Sequence, residues 1–278
     1  MSHHDCSGCG LCLLVCPVWH GTRDVRLTPK GRARAIQHGA KREDLAASTA
    51  GCTLCGACEP ACPEELPLVD MVMELRSGSP FPEAEVRIQG KKKLLLAGRA
   101  LRAEPDRLAR TLALLEGYEL AADDGADIVE ALEAGTTIAD ERLAAFLASL
   151  ALARQVVVAE GLLLRALRRW LADASVRGIG ETLLPAISAK LRAGDFYVIA
   201  SQAFNCDQPR LIGRYDWLRA TSGCEMNLDL QRIAMPVAGQ ARWILEGRRV
   251  ERIVVEDLAE RAAFDFAGKP VLHLAELA

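Results

Sequence analysis

Eight of the ten cysteines in this 278-residue chain stand in its first 62 positions, in two runs of the same spacing. The first run is Cys6-x2-Cys9-x2-Cys12-x3-Cys16-Pro17 and the second is Cys52-x2-Cys55-x2-Cys58-x3-Cys62-Pro63. Nothing else in the chain restricts its fold so tightly. Three cysteines at two-residue gaps let one short loop wrap a cube of iron and sulfide and grip three of its corners. The small residues between them (Ser7, Gly8 and Gly10; Thr53, Gly56 and Ala57) let the backbone approach and aim N–H groups at the sulfides.

The fourth cysteine of each run is expected to open a helix, for which the following proline is suited. In two-cluster ferredoxins that cysteine ligates the other cluster. The reading is therefore two [4Fe–4S] clusters, one on Cys6, Cys9, Cys12 and Cys62, the other on Cys52, Cys55, Cys58 and Cys16. Structural zinc also favours paired Cys-x2-Cys. It has no use for a third cysteine at the same gap, nor for the repeated Cys-Pro. With no position vacant in either run, a [3Fe–4S] cluster is disfavoured.

Net charge is −3, and no basic excess points to nucleic acid. No apolar run approaches the ~20 residues that span a bilayer, and Met1-Ser2-His3-His4-Asp5 lacks the features of a signal peptide. The expectation is a cytoplasmic protein with at most peripheral association at the inner face of the membrane. Cytosolic thiols stay reduced, so the cysteines are not expected to form disulfides.

Between the runs, Thr28-Pro29-Lys30-Gly31-Arg32 reads as a capped helix start, with a helix to about His38 and a second short one near Glu43 to Ser48. Lys30, Arg32 and Arg34 read either as a solvated helix face or as charges that stabilise reduced clusters or dock an acidic partner. The order of cysteine run, Thr-Pro-Lys-Gly-Arg and second run resembles the iron–sulfur subunits of flavin-linked dehydrogenases. That group includes the iron–sulfur subunits of glycolate oxidase and of anaerobic glycerol-3-phosphate dehydrogenase, the lactate-utilisation iron–sulfur proteins and the heterodisulfide reductases. The likeness covers residues 5–76.

Beyond Ser79-Pro80-Phe81-Pro82, a linker by its prolines, strands and helices alternate, which implies parallel sheet with helices on its faces. Strands are expected at Lys91–Ala97, Tyr118–Leu120, Gln155–Ala159, Phe196–Ala200, Ile253–Val255 and Val271–Leu274. Helices are expected at Pro105–Leu115, Asp140–Ala153, Leu162–Leu171, Pro209–Thr221, Ile233–Gly247 and 258–264. Residues 91–178 and 190–278 read as two copies of one unit. The fold class is α+β: an N-terminal helical two-[4Fe–4S] ferredoxin domain (1–80), a linker (81–90), and two α/β pseudo-repeats (91–178 and 179–278).

The resemblance implies that these repeats correspond to cysteine-rich domains bearing a Cys-Cys-Gly signature. Here the signature has decayed. Gly98-Arg99 replaces Gly-Cys, Asp123-Asp124-Gly125 replaces Cys-Cys-Gly, and Ala159 and Leu162 replace a Cys-x2-Cys. Carboxylates are hard ligands unsuited to a thiolate cluster, and Cys206 and Cys224 cannot supply four ligands, so no third cluster is expected. Those two cysteines read as small buried hydrophobes or, alternatively, as a metal or partner-cofactor site. Asp123 and Asp124 read as solvated turn residues, His20 as packing near a cluster, and His273 as a strand-end residue. No Walker loop, dinucleotide fingerprint or nucleophile elbow occurs.

The expected function is an electron-transfer subunit of a multi-subunit oxidoreductase. It would relay single electrons from a flavin-containing dehydrogenase subunit to a further carrier or quinone-linked acceptor, within a hetero-oligomer. The alternatives are a heterodisulfide reductase-like catalytic subunit with a site near Cys206 and Cys224, and a module whose clusters only sense oxygen or hold the fold.

Overall fold

A computed structural model describes residues 5–277; residues 1–4, part of the segment read above for a leader, lie outside the described residues. The N-terminal part holds helices α1 (Leu11–Leu14), α2 (Pro17–Thr22), α3 (Pro29–Gln37), α4 (Ala46–Ala50) and α5 (Leu68–Ser77). Thr28 caps α3 by accepting the Gly31 N–H at 3.2 Å, and Pro29 occupies the first turn, where its missing N–H costs nothing. Gly31 is required here: a Cβ on it would stand 2.0 Å from the Val25 carbonyl oxygen. Cys16 caps α2 as expected. Cys62-Pro63 opens no helix; the chain turns there and α5 starts only at Leu68.

The expected linker is not free chain. Phe81 is buried and stacks on Trp170 at 5.8 Å. Trp170 Nε1 donates to Pro82 O at 2.8 Å, and the Val86 and Gln89 N–H groups donate to Trp170 O and Ala151 O. The segment is strapped along the first sheet unit.

That unit comprises β1 (Lys92–Leu96), α6 (Gly98–Arg102), α7 (Pro105–Leu114), β2 (Glu119–Leu120), α8 (Ala126–Ala134), α9 (Asp140–Leu150), β3 (Ala153–Val158), α10 (Gly161–Trp170) and β4 (Ser175–Gly178). After α11 (Ile179–Ile187) come β5 (Asp195–Val198), α12 (Ser201–Asn205), α13 (Gln208–Ser222), β6 (Glu225–Met226), α14 (Ala241–Leu245), β7 (Arg252–Val255), a 3-10 segment (Leu258–Ala267) and β8 (Val271–His273). The sheets run β2-β1-β3-β4 and β6-β5-β7-β8, all parallel. The two halves therefore share one strand order, the repeat that the alternating pattern announced, and the fold is α+β.

Alternation along the strands decides what each sheet face covers. Leu94, Leu96, Val156 and Val158 pack with Leu54, Leu66, Leu68 and Val72 of the N-terminal part. Leu95 and Val157, on the other face, share a core with Tyr197, Ile199 and Val254 of the second sheet. The remaining face of that sheet (Phe196, Val198, Ile253, Val255) meets Val15, Cys55, Ala57 and Ala61. The cysteine-bearing segment is thus packed against both units. Polar ties reinforce it. Arg165 of α10 pairs with Glu59 (2.6 Å) and Asp70 (2.8 Å), and Asn205 Nδ2 donates to Cys55 O at 3.1 Å.

Three sequence expectations need correction. Ile233–Gly247 is helical only at Ala241–Leu245. Ahead of it, Ile233, Ala234, Met235 and Val237 are all buried; a continuous buried run has no helical period, Pro236 interrupts it, and the Asn205 and Asn227 amides satisfy its backbone. The helix from Asp140 stops at Leu150, because Ala153 already belongs to β3. Asp124 is not solvated: it is buried and paired with Arg102, while Asp123 pairs with Arg142 at 2.8 Å and accepts the Gly125 N–H. Among the described residues no helix is long and apolar enough to cross a membrane.

His273, at the end of β8, is 1 % exposed, and burial lowers its pKa to about 4. A depressed folded-state pKa contributes stability that is full above the unfolded value of ~6.5 and is lost as pH falls through the folded value. His273→Gln is therefore expected to flatten the loss of stability between pH 7 and 4.5, read as a smaller shift in urea midpoint than that of the unsubstituted protein.

Candidate functional site

The eight clustered cysteines are all free thiols, and they surround two enclosed cavities. Cys6, Cys9, Cys12 and Cys62 line one, with Gly10, Lys30 and Glu64. Cys16, Cys52, Cys55 and Cys58 line the other, with Val15, Arg32, Leu54 and Val72. Pro29 and Leu68 line both and so form the wall between them. Each cavity takes three thiols from one run and one from the other. Among the described residues no group of three or more His, Cys, Asp or Glu side chains gathers as a single metal ion would require. The thiols are arranged around a void, which is what a multi-atom cluster needs.

The two loops repeat in backbone as well as in sequence. Gly8 and Leu54, each two residues after the first cysteine of its run, have φ of 79° and 52°. Gly10 and Gly56, each four residues after it, have φ of 87° and 74°. The left-handed conformation turns the chain around the cavity, at a cost that only glycine escapes. Leu54 bears that cost because its side chain is buried in the core beneath the loop.

Burial dominates the thiols' acidity. It pushes Cys12 up to about 11, Cys55 up to about 12 and Cys58 well above its ordinary value, and it raises Cys16 as well. Backbone N–H groups work in the opposite direction: Lys30 toward Cys12, Val18 and Trp19 toward Cys16, and Ala57 toward Cys55. Without metal these thiols hold their protons at neutral pH, so loading must release them, and the N–H groups are placed to stabilise the thiolates that result.

Arg32 overturns the reading of a solvated basic face. It is 1 % exposed and lines the second cavity. It donates to Ser48 Oγ (3.0 Å), Ser48 O (2.7 Å) and Leu27 O (2.7 Å), all neutral acceptors. Half-buried Arg76 likewise donates to Thr49 O (2.7 Å) and Cys52 O (2.6 Å). Among the described residues neither is paired with a carboxylate. A buried cation without an anion is costly; thiolates at the adjacent cavity would supply the missing charge. Arg34 is exposed and Lys30 half-buried, beside Gly8 and Gly10 respectively. Nothing in the spacing marked Arg76, 24 residues beyond Cys52, as a neighbour of this loop.

The other candidates lie apart. Cys206 borders the first core; its thiol donates to Ala203 O at 3.3 Å, with Arg168 Nη1 at 3.6 Å. It shares an open cleft with Cys62, Glu59, Arg165 and Arg168. Cys224 is 1 % exposed in the core between the sheets and is hydrogen-bonded to Ser222. His20 Nε2 meets Leu14 O at 2.8 Å, and its ring stacks on Trp243 at 5.2 Å. Between positions 98–99 and 159–162, Glu160 accepts the Arg99 N–H at 3.1 Å.

Residues 2–66 match the 4Fe-4S dicluster domain. No curated protein and no solved structure matches the chain. The match makes this an iron–sulfur protein whose N-terminal part binds 4Fe-4S clusters in an electron-transfer role, and the free thiols around the two cavities are the donors such clusters take.

A Cβ at Gly56 would occupy a left-handed position 3.3 Å from Asn205 Cβ, and at Gly10 one 3.4 Å from Lys30 Nζ. Gly10→Ala and Gly56→Ala should each cost about 1–2 kcal/mol, seen in chemical denaturation of the metal-free protein, and should lower iron retention after reconstitution.

Proposed function

We propose that this protein is an electron-transfer subunit of a multi-subunit oxidoreductase, carrying two [4Fe–4S] clusters with crossed ligation. Cys6, Cys9, Cys12 and Cys62 hold one, and Cys52, Cys55, Cys58 and Cys16 hold the other. The observation that carries the reading is the pair of four-thiol cavities that share Pro29 and Leu68 as a common wall. Clusters of this type exchange one electron at a time, with potentials set by hydrogen bonds, charge and solvent exposure.

What the chain itself contributes is position and electrostatics. The crossed cysteines make the two loops one unit, and packing against both sheets holds it in place. Arg32 and Arg76 put positive charge beside the second cavity. Cys9, the exposed thiol, opens the first toward solvent. The resemblance of residues 5–76 supports a flavin-containing dehydrogenase subunit as donor and a further carrier or quinone-linked acceptor downstream. A cytoplasmic location agrees with this reading. In it, residues 91–178 and 179–278 act as scaffold and docking surface.

The catalytic alternative has one observation in its favour: Cys206 and Cys62 share a cleft. Cys224 counts against it, since it is buried in a different core and cannot act with Cys206.

Cys16→Ala is expected to damage the cluster of Cys52, Cys55 and Cys58, and Cys62→Ala that of Cys6, Cys9 and Cys12, each leaving the cluster of its own loop with all four ligands. Low-temperature EPR of the reduced variants, read beside total iron, checks this; an intact pair of signals in either variant would contradict the crossed assignment. Arg76→Gln should shift the potential of one cluster to more negative values and leave the other unchanged, measured by EPR-monitored redox titration. If the clusters stay oxidised throughout turnover with a flavin-containing partner, the electron-transfer reading falls.

A further inference from the structure

The charge of this chain is unevenly placed. Between Cys6 and Arg42 stand seven lysines and arginines against one acid, Asp24, in a chain whose net charge is −3. Asp24 is itself paired with Arg26 at 2.7 Å. Arg32 is buried, but Arg23 and Arg34 are exposed, and Arg34 lies alongside Gly8 in the loop that carries Cys9. Of these cations, Arg34 and Lys30 stand beside the loop of the cavity whose Cys9 is exposed, with Glu64 as the acid in its lining.

Beside this loop is an apolar patch. Leu11 and Leu14 of α1 are 40 % and 57 % exposed, and Trp243 of α14 is 53 % exposed. The patch is continuous: Leu14 O meets the His20 ring nitrogen, and the His20 ring stacks on Trp243. It joins the cysteine-bearing part to the second sheet unit, so its shape is fixed by two packed bodies. An apolar centre with a charged rim is the anatomy of a protein-docking surface, and a net excess of positive charge along the neighbouring segment favours an acidic partner.

Resting on the electron-transfer reading, we infer that the face formed by residues 6–14, α2 and α14 docks an acidic redox protein, whose centre then lies over the cavity of Cys6, Cys9, Cys12 and Cys62. In each encounter one electron leaves the partner's reduced centre and is taken up at that cavity's cluster, with no bond formed and no proton moved. A lipid surface fits less well. The apolar side chains sit on helices of four and five residues, whereas interfacial binding uses a long helix with one continuous apolar face.

The test uses the cluster-loaded full chain under anaerobic conditions and, as probe, an acidic flavodoxin reduced to its hydroquinone. Calorimetric binding should weaken at least tenfold between low and physiological salt, as screening of exposed charges requires. Arg23→Glu with Arg34→Glu, compared at equal iron content, should weaken low-salt binding at least tenfold and slow cluster reduction by flavodoxin to a similar degree, with reduction by dithionite unchanged. Trp243→Ser should weaken binding without changing its salt dependence. Salt-independent binding, or an affinity untouched by the double reversal, overturns the proposal. So does binding to phosphatidylglycerol vesicles, or self-association, that the double reversal abolishes. Clusters that flavodoxin reduces without any effect of salt or reversal would leave the electron-transfer reading standing while removing this surface. Clusters that no donor reduces would remove that reading, and the binding data would still decide the surface.

Discussion

The feature on which the rest of the N-terminal part depends is the gathering of eight thiols around two cavities, each lined by three cysteines of one run and one of the other. Cys62 must reach the loop of Cys6, Cys9 and Cys12, and Cys16 must reach the loop of Cys52, Cys55 and Cys58. That exchange forces the two runs side by side and makes the intervening residues, with α3 at their centre, a bridge between cavities. Pro29 serves twice, as the first residue of α3 and as part of the common wall. The Thr28 cap and the close approach of Gly31 to Val25 fix the helix where this wall has to stand.

The chain meets the electrostatic cost of this arrangement locally. Burial raises the thiols, and aimed backbone N–H groups offset part of that rise. Arg32 and Arg76 are held by neutral carbonyl and hydroxyl oxygens, which fix their geometry and leave their charge uncompensated. In the metal-free protein that charge is a liability; against four thiolates it is stabilising. The arginines therefore couple folding of this region to the charge of what it binds. The first cavity, with Cys9 at the surface and Lys30 and Arg34 beside its loop, lies in a wetter setting, so the two sites differ electrostatically although their loops repeat.

Much of this could be read from residue order. The cysteine spacing pointed to thiolate clusters, and the exchange of the fourth cysteine came from the pattern of two-cluster ferredoxins; the cavity linings group the cysteines in the same way. The Thr-Pro start of α3 and the β-branched runs of β3 and β7 identified those elements by local chemistry. What escaped was set at long range. Phe81 and Pro82 fold down on Trp170 because that indole needs both an apolar cover and an acceptor. Ile233 to Val237 looked helical by hydrophobicity, yet it is a buried irregular strip whose backbone is satisfied by Asn205 and Asn227 from elsewhere in the chain. Arg32 could be read as one of three cations on a solvated face or as a charge serving the clusters, and residue order did not decide between them. Its burial depends on α4 packing over it through Ser48, a contact no local pattern encodes.

The crossed exchange of thiols is most directly tested by anomalous diffraction at the iron edge from anaerobically loaded crystals. Crossed ligation predicts two groups of four iron peaks, with Cys62 Sγ bonded to the group that also binds Cys6, Cys9 and Cys12, and Cys16 Sγ to the group at Cys52, Cys55 and Cys58. A single group of iron, or two groups each bonded only by the four cysteines of its own run, would contradict it.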